Sequence, residues 1–324
     1  MAIPNSNLSE IVTTTLRNRS GKLADNVTTN LALLYRLKEK GNVKPVSGGR
    51  TIVQELEYAE NGTFMWYSGY DTLNISPSDV FTAAEFDWKQ CATAVSWSGL
   101  EIDIQNTGKE QVIDLLEKRI DNAEKTMMNN ISDGVYSLGT GSGGKEIGGL
   151  QLLISDAGTG TVGGIISGTW SFWQNTVFDF STNSLTPGVG TIQTAMNQAW
   201  LSTKRNRDQV DLIVADNTYY RYYWESLQAI QRVTNTKMAE AGFENLKFMS
   251  ADVIPDGGMS GSCPANHMYG INSNYLFYRP HRDRNMVPLD PTRYSSNQDA
   301  SVRLLSWAGN MTCSNRKLQF VIVA

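Results

Sequence analysis

The stretch from Gly108 to Gly139, GKEQVIDLLEKRIDNAEKTMMNNISDGVYSLG, constrains the fold more than any other. Val112, Leu116, Ile120, Ala123, Met127, Ile131, Val135 and Leu138 recur at steps of three and four residues. That spacing draws one apolar stripe along an α-helix. Lys118, Arg119, Asn122 and Lys125 lie off the stripe. Thr107 and Gly108 suit a helix start and Gly139 a stop, so the pattern predicts a helix over 109–138. At 1.5 Å per residue such a helix is roughly 45 Å long, against a mean of about three turns in globular proteins. A helix of that length spans a domain and acts as its beam. Its core face is expected to be Val112, Leu116, Ile120, Met127 and Ile131.

A glycine-rich break follows at once. Gly139-Thr-Gly-Ser-Gly-Gly144-Lys145 matches a phosphate-binding loop as far as the lysine. Glu146 then stands where a Ser or Thr must ligate magnesium, and a carboxylate repels phosphate. The glycines also follow a helix, whereas a phosphate loop follows a strand. The break is better read as a turn that returns the chain onto the helix, and no nucleotide or other cofactor is expected.

The chain has 324 residues, 40% of them hydrophobic and 19% charged, with a net charge of −4. This composition buries cores and is not that of a disordered chain. It suggests one large or two ordinary domains. The start, MAIPNSNLSE, lacks a basic-then-apolar signal pattern, and no 18-residue apolar run offers a membrane-spanning helix. Three widely separated cysteines, Cys91, Cys263 and Cys313, fit reduced thiols rather than a disulfide framework.

Charge is unevenly spread. Residues 1–50 hold eight basic groups against three acids, a net of +5. Residues 51–138 hold fifteen acids against five bases, a net of −10. A basic arm beside an acidic body points to contact with a polyanion or between subunits. The arm residues that would face a genome or a neighbour are Arg17, Arg19, Lys22, Arg36, Lys38 and Lys40. Their charges are spaced rather than clustered, which fits weak, sequence-independent phosphate contact.

Taken in order, residues 1–50 read as an arm, too thinly apolar to fold alone. Residues 51–68 alternate as a strand, and 81–97 read as its return. Asn61-Gly62 is a strong short hairpin signal. The tip residues expected to make contacts are Asn61, Gly62, Phe64 and Trp66. Such a hairpin is marginal alone and needs another surface. After the long helix, 157–187 read as irregular, with one or two strands. Residues 188–235 turn α/β: a helix around Ile192 to Trp200, a buried strand VDLIVAD, and a helix TYYRYYWESLQAIQRV capped by Asn217. Residues 246–324 return to strands and end on KLQFVIVA.

Catalytic patterns are thin. His267 and His281 have no Cys or carboxylate at metal-ligand spacing, so no metal is expected. No Gly-x-Ser-x-Gly elbow supports a serine triad. Glu101 and Asp103 flank Ile102 as a solvated carboxylate pair. RPHRDR around His281 reads as a basic surface loop. Tyr219, Tyr220, Tyr222, Tyr223 and Trp224 point all round a helix, which suits packing better than base stacking. The residues point away from an enzyme and toward extended arms that need partners.

This order of parts resembles the major capsid proteins of tailed bacteriophages, the Hong Kong-97-type fold. SWSGLEIDI, the helix from Lys109 and GTGSGGKEIGGLQLL are similar to the run into that family's spine helix and out of it. TVGGIISGTWSFWQN is similar to a segment after that exit, and KLQFVIVA to its peripheral-domain sheet. The resemblance implies an α+β chain with an N-terminal arm (1–50) and an extended β-hairpin or E-loop (51–98). It implies a peripheral (P) domain (99–187 and 247–324) built on the spine helix, and an inserted α/β axial (A) domain (188–246). It implies a structural protein that forms pentamers and hexamers and closes into an icosahedral head around double-stranded DNA. The virion would be its location and the host cytoplasm its place of assembly. Its partners would be itself, a separate scaffolding protein, a portal, a decoration protein and, weakly, the packaged DNA, with no membrane. No lysine occurs between Arg50 and Lys89, so cross-linking through a hairpin lysine is not expected. Encapsulins share this fold, so an enzyme-enclosing compartment shell is the alternative, followed by another virion part.

Overall fold

Among the described residues, most of the apolar positions of the helices and strands pack into shared cores. The computed structural model describes residues 32–98, 109–227, 246–257, 262–294 and 299–324; at 109–118 and 290–294 it describes the backbone. Arg17, Arg19, Lys22, Glu101, Asp103 and the side chains of Val112 and Leu116 lie outside the described residues.

Helix α1 (Ala32–Glu39) buries Ala32, Leu33, Leu34 and Leu37 in the main core. The second half of the arm is thus part of its own chain's fold. Strand β1 (Ile52–Glu57) pairs antiparallel with β2 (Phe81–Phe86), with Ile52 opposite Phe86 and Glu57 opposite Phe81. Ile52, Leu56, Ala84 and Phe86 are buried, while Val53, Glu55, Glu57 and Glu85 face water. The expected strand over 51–68 ends at Glu57, and the two strands are joined by a long connection, 58–80. Asn61-Gly62 therefore does not make a two-residue hairpin turn. The Asn61 side chain instead accepts from the Thr63 amide at 3.0 Å, the Thr63 hydroxyl at 2.8 Å and the Ser78 hydroxyl at 3.0 Å. Local side-chain bonds of this kind replace a strand ladder. The return stretch also divides. Strand β3 (Lys89–Ser98) leaves the hairpin at Asp87-Trp88, where the alternation changes phase.

The long stripe forms helix α2 (Lys109–Tyr136). Ile120 and Ala123 pack with Val95 and Trp97 of β3, and Met127, Ile131, Val135 and Tyr136 enter the main core. The helix stops two residues short of the expected end, so Leu138 leaves the stripe and is exposed. The glycine break then brings the chain against the helix it has just left. The Gly149 amide donates to the Ser137 carbonyl at 2.9 Å. A Cβ on Gly149 would sit 2.2 Å from the Val135 carbonyl oxygen. Only a residue without a side chain fits there.

Beyond it come β4 (Thr161–Val162), β5 (Ile165–Ile166) and β6 (Thr176–Asp179). Helix α3 (Ile192–Thr203), strand β7 (Leu212–Ala215) and helix α4 (Asn217–Ser226) form the expected α/β run. The cap of α4 is Asp216, one residue before the expected Asn217; its carboxylate accepts from the Tyr219 amide at 2.8 Å. The remaining strands are β8 (Leu246–Phe248), β9 (Ala251–Pro255), β10 (Met268–Ile271), β11 (Leu276–Tyr294), β12 (Ala300–Cys313) and β13 (Phe320–Val323).

Two larger sheets result. One is six-stranded, of order β6-β13-β10-β7-β9-β8, and the other is three-stranded, of order β11-β12-β3. The terminal strand β13 runs parallel to β6 and antiparallel to β10, inside the sheet of the α/β run. It does not join the three-stranded sheet of β11, β12 and β3, contrary to the expected placement of KLQFVIVA in the peripheral-domain sheet. The reason lies in its composition: Phe320, Val321 and Ile322 are all buried, so the strand needs cover on both faces. Residues 281–284, expected as a basic loop, lie within β11, where the register with β12 breaks between Pro280 and Asn285.

Gly149→Ala is expected to cost about 3 kcal/mol, because a backbone carbonyl cannot rotate away as a side chain can. Gly62→Ala, with open space around it, is expected to stay within about 0.5 kcal/mol. Urea unfolding of both variants checks the contrast.

Candidate assembly surface

The root of the β1–β2 hairpin is held firmly by its own chain. The Glu85 amide donates to the Gly163 carbonyl at 3.0 Å. Gly163 has φ +60°, and a Cβ on it would fall 2.7 Å from that of Ala84. The β4–β5 turn therefore fits against the hairpin only as glycine. Tyr58 meets Trp170 edge-on at 5.8 Å and Phe172 at 5.7 Å between ring centres. These rings wall a cleft of about 520 Å³ that Asp79, Phe81, Thr82 and Ile166 complete. TVGGII falls in the 157–187 stretch expected to be irregular with one or two strands, and it forms the short pair β4 and β5.

Beyond this root the chain opens to solvent. Phe64 is 75% exposed, Trp66 90%, Ile75 91% and Tyr70 fully exposed. Gly62 is exposed too, and Asn61 is occupied with the loop bonds to Thr63 and Ser78. Phe64 and Trp66 touch only edge to edge, at 5.5 Å. Large apolar side chains grouped in this way mark interaction surfaces. The same segment carries carboxylates at Glu55, Glu57, Glu60, Asp71, Asp79 and Glu85, all exposed. The expected tip residues and their acidic surroundings are thus brought together on one projecting loop.

The basic arm residues divide. Arg36 does not face outward: its guanidinium binds Asp252 at 2.5 Å, Glu39 at 2.8 Å and the Asp211 carbonyl at 3.2 Å. Asp252 is buried, and burying a carboxylate calls for a paired cation. Burial alone lowers the Arg36 pKa, but the carboxylates around it raise it further, and the net shift is upward. Lys38 and Lys40 are exposed, Lys40 with its amine 3.7 Å from the Asp211 carboxylate.

The glycine break is tied by side-chain hydrogen bonds. The Ser137 hydroxyl donates to the Glu146 carboxylate at 2.8 Å, and Lys89 donates to the Gly144 carbonyl at 2.6 Å. Burial pushes the thiols of Cys91 (to about 11) and Cys313 (to about 12) up, and that of Cys263 higher still, so none is a ready nucleophile. Tyr219, Tyr220 and Tyr223 of α4 are buried in the second core. Among the described residues no cluster of His, Cys, Asp and Glu is arranged to hold a metal.

No protein-family model matches the chain, and no curated protein matches its sequence. Its structure does match solved shells. A chain of the Cyanophage A-1(L) capsid asymmetric unit aligns with a TM-score of 0.59 at 15% identity, over 89% of this chain and 92% of that one. A chain of the capsid of a native GTA particle gives 0.53 at 10% identity, over 89% of each. The holo-SrpI encapsulin complex from Synechococcus elongatus PCC 7942 gives 0.51 at 8% identity, over 89% and 86%. The chain has the mixed α+β fold of these shell proteins, the Hong Kong-97-type fold.

Trp66→Ser and Tyr70→Ser are each expected to leave the unfolding free energy of the isolated chain within about 0.5 kcal/mol of the parent, because these rings cover no core; urea melts at low concentration check this. His267 makes a second prediction. Burial lowers its pKa, but Asp156 at 3.1 Å and the Ala265 carbonyl at 2.8 Å raise it more, and the net shift is upward. A raised histidine stabilises the fold fully below its unfolded pKa near 6.5 and loses that contribution as pH rises through the folded value. Stability is expected to fall between pH 6 and pH 8, and His267→Gln to flatten this slope in urea melts.

Proposed function

We propose that this chain is the major capsid protein of a tailed bacteriophage, whose copies build pentamers and hexamers of an icosahedral head around double-stranded DNA. The observation that carries the reading is the extent of the likeness: about nine-tenths of this chain and nine-tenths of a phage capsid chain share one fold. A fold shared that completely leaves little room for a separate catalytic domain. The exposed aromatic loop at 64–75 supports the same reading, since a lone chain gains nothing from showing it to water.

In this reading α2 is the spine helix and the 52–86 hairpin is the E-loop that reaches a neighbouring subunit. The six-stranded sheet with α3 and α4 serves as the axial domain, and β11-β12-β3 with α2 as the peripheral one. Exposed Lys38, Lys40 and the first part of the arm supply weak phosphate contact with the genome. A portal and a decoration protein are the further partners. The protein acts by association and has no reaction to catalyse. An encapsulin-type compartment shell is the second reading, favoured by the likeness to the Synechococcus elongatus encapsulin.

Electron microscopy of the expressed chain is expected to show shells, capsomers or sheets; a monodisperse monomer at high concentration counts against the proposal. Replacing 58–80 by a short turn is expected to abolish assembly while the melting transition persists. The cut must stop there, because β3 belongs to the three-stranded sheet. Shells that form without 58–80 would remove the hairpin's role. A defined protein cargo inside the particles would favour the compartment reading.

A further inference from the structure

The projecting hairpin is one-sided in charge. From Thr51 to Trp88 the chain has no Lys, Arg or His. The seven carboxylates of this stretch, Glu55, Glu57, Glu60, Asp71, Asp79, Glu85 and Asp87, are exposed, and none makes an ion pair among the described residues. Trp66, Tyr67 and Tyr70 stand bare among them. A surface of this kind fits a cationic partner that also offers planar guanidinium groups, which bind carboxylates and lie on aromatic faces.

This chain presents such a partner surface elsewhere. Residues 42–46 run parallel to the edge of β11, with the Lys44 amide donating to the Tyr278 carbonyl and the Arg282 amide to the Val46 carbonyl, both at 3.0 Å. The Trp88 indole donates to the Gly49 carbonyl at 2.9 Å and meets the His281 ring at 5.4 Å. These contacts gather Lys44, Arg50, Arg282 and Arg284 along one edge, at the point where the β11–β12 register breaks. All four side chains are exposed, and none makes an ion pair among the described residues. Asp283 is the acid set between them.

We propose that the acidic aromatic hairpin of one copy docks on the Lys44–Arg50–Arg282–Arg284 edge of a second copy. The contact deepens the shell reading above and rests on it. Each surface has unmatched charge that the other supplies. A nucleic acid would satisfy the cations but would leave the carboxylates and bare aromatic rings unexplained. The contact is head-to-tail, so it closes into a ring or continues into a lattice. It would be strengthened by electrostatic steering and weakened by salt.

The test is charge reversal in trans on the full chain. One variant carries Glu57→Lys, Glu60→Lys and Asp79→Lys; the other carries Arg50→Glu, Arg282→Glu and Arg284→Glu. The first then sets a hairpin whose charge is largely cancelled against its basic edge, and the second presents acids on both surfaces. Each alone is expected to need about tenfold more protein to associate, by sedimentation and light scattering. An equimolar mixture is expected to recover association, because the acidic hairpin of the second variant then meets the basic edge of the first. Circular dichroism melts monitor folding, and Glu57→Gln with Arg282→Gln as milder single changes are expected to weaken association about threefold. Wild-type protein that assembles while the folded mixture does not would overturn the contact and leave the shell reading standing. So would an edge variant that associates normally but loses binding to double-stranded DNA. Wild-type protein that stays monomeric at high concentration would overturn both.

Discussion

The six-stranded sheet has no side that faces water. Along β7, β10 and β13 alternate residues go to different cores. Leu212, Val214, Tyr269, Ile271 and Val321 join one cluster, and Ile213, Ala215, Met268, Phe320 and Ile322 join the other. Such a sheet is stable only if both faces are covered at once. Helices α3 and α4 cover one. The other receives α1, the end of α2, the hairpin root and the β11–β12 strands. A slip of one residue in any central strand would exchange the two sets, so the register is fixed from both sides. The arm, the hairpin root and the beam helix therefore have set positions because one sheet needs a second cover.

Closing the chain over that sheet buries polar groups as well, and one of them is a cation without a carboxylate. Arg316 is fully buried and is bound by the Leu153 carbonyl at 2.6 Å, the Ser167 hydroxyl at 2.5 Å, the Trp173 carbonyl at 2.9 Å and Asn175 at 3.0 Å. Loss of solvent pushes its pKa down to about 10, still high enough to keep the guanidinium charged near neutrality. Neutral acceptors arranged around a planar fork satisfy it where one counter-ion would not. Its bonds tie the loops after the glycine break to the turn before β13. The segment that positions Gly163 under the hairpin is thereby linked to the end of the chain.

Much of this frame was legible in the sequence because periodicity reports burial directly. The stripe of α2, the apolar run of β7 and the helices flanking it follow from spacing alone. What escaped depends on contacts distant along the chain. Asn61-Gly62 carries a turn signal, yet Asn61 uses its side chain within the loop and the strands stop earlier. Arg36 belonged to a basic arm by composition, but its environment is Asp211 and Asp252, far away in sequence. KLQFVIVA read as a buried strand and by resemblance as part of the peripheral-domain sheet, whereas its partners are β6 and β10. The tip residues Phe64 and Trp66 were identified from the hairpin pattern, whereas the cleft walls Trp170 and Phe172 needed the fold.

The division between a closed body and an open hairpin has an energetic logic. Among the described residues, the two main cores of the body are built from side chains of one chain. The loop at 58–80 contributes almost nothing to those cores, and its exposed rings and carboxylates are costs to a solitary chain through aggregation and self-repulsion. They become useful only when a second surface removes them from water. In the proposed shell each such contact is weak alone, and repetition around a closed lattice supplies the stability. Weak contacts also let a misplaced copy leave before the shell closes around it, which a single tight interface would prevent. A rigid root at Gly163 and Tyr58 beneath a loop with few internal ties suits that task, because it aims the loop while leaving its side chains free to adapt to the neighbour they meet.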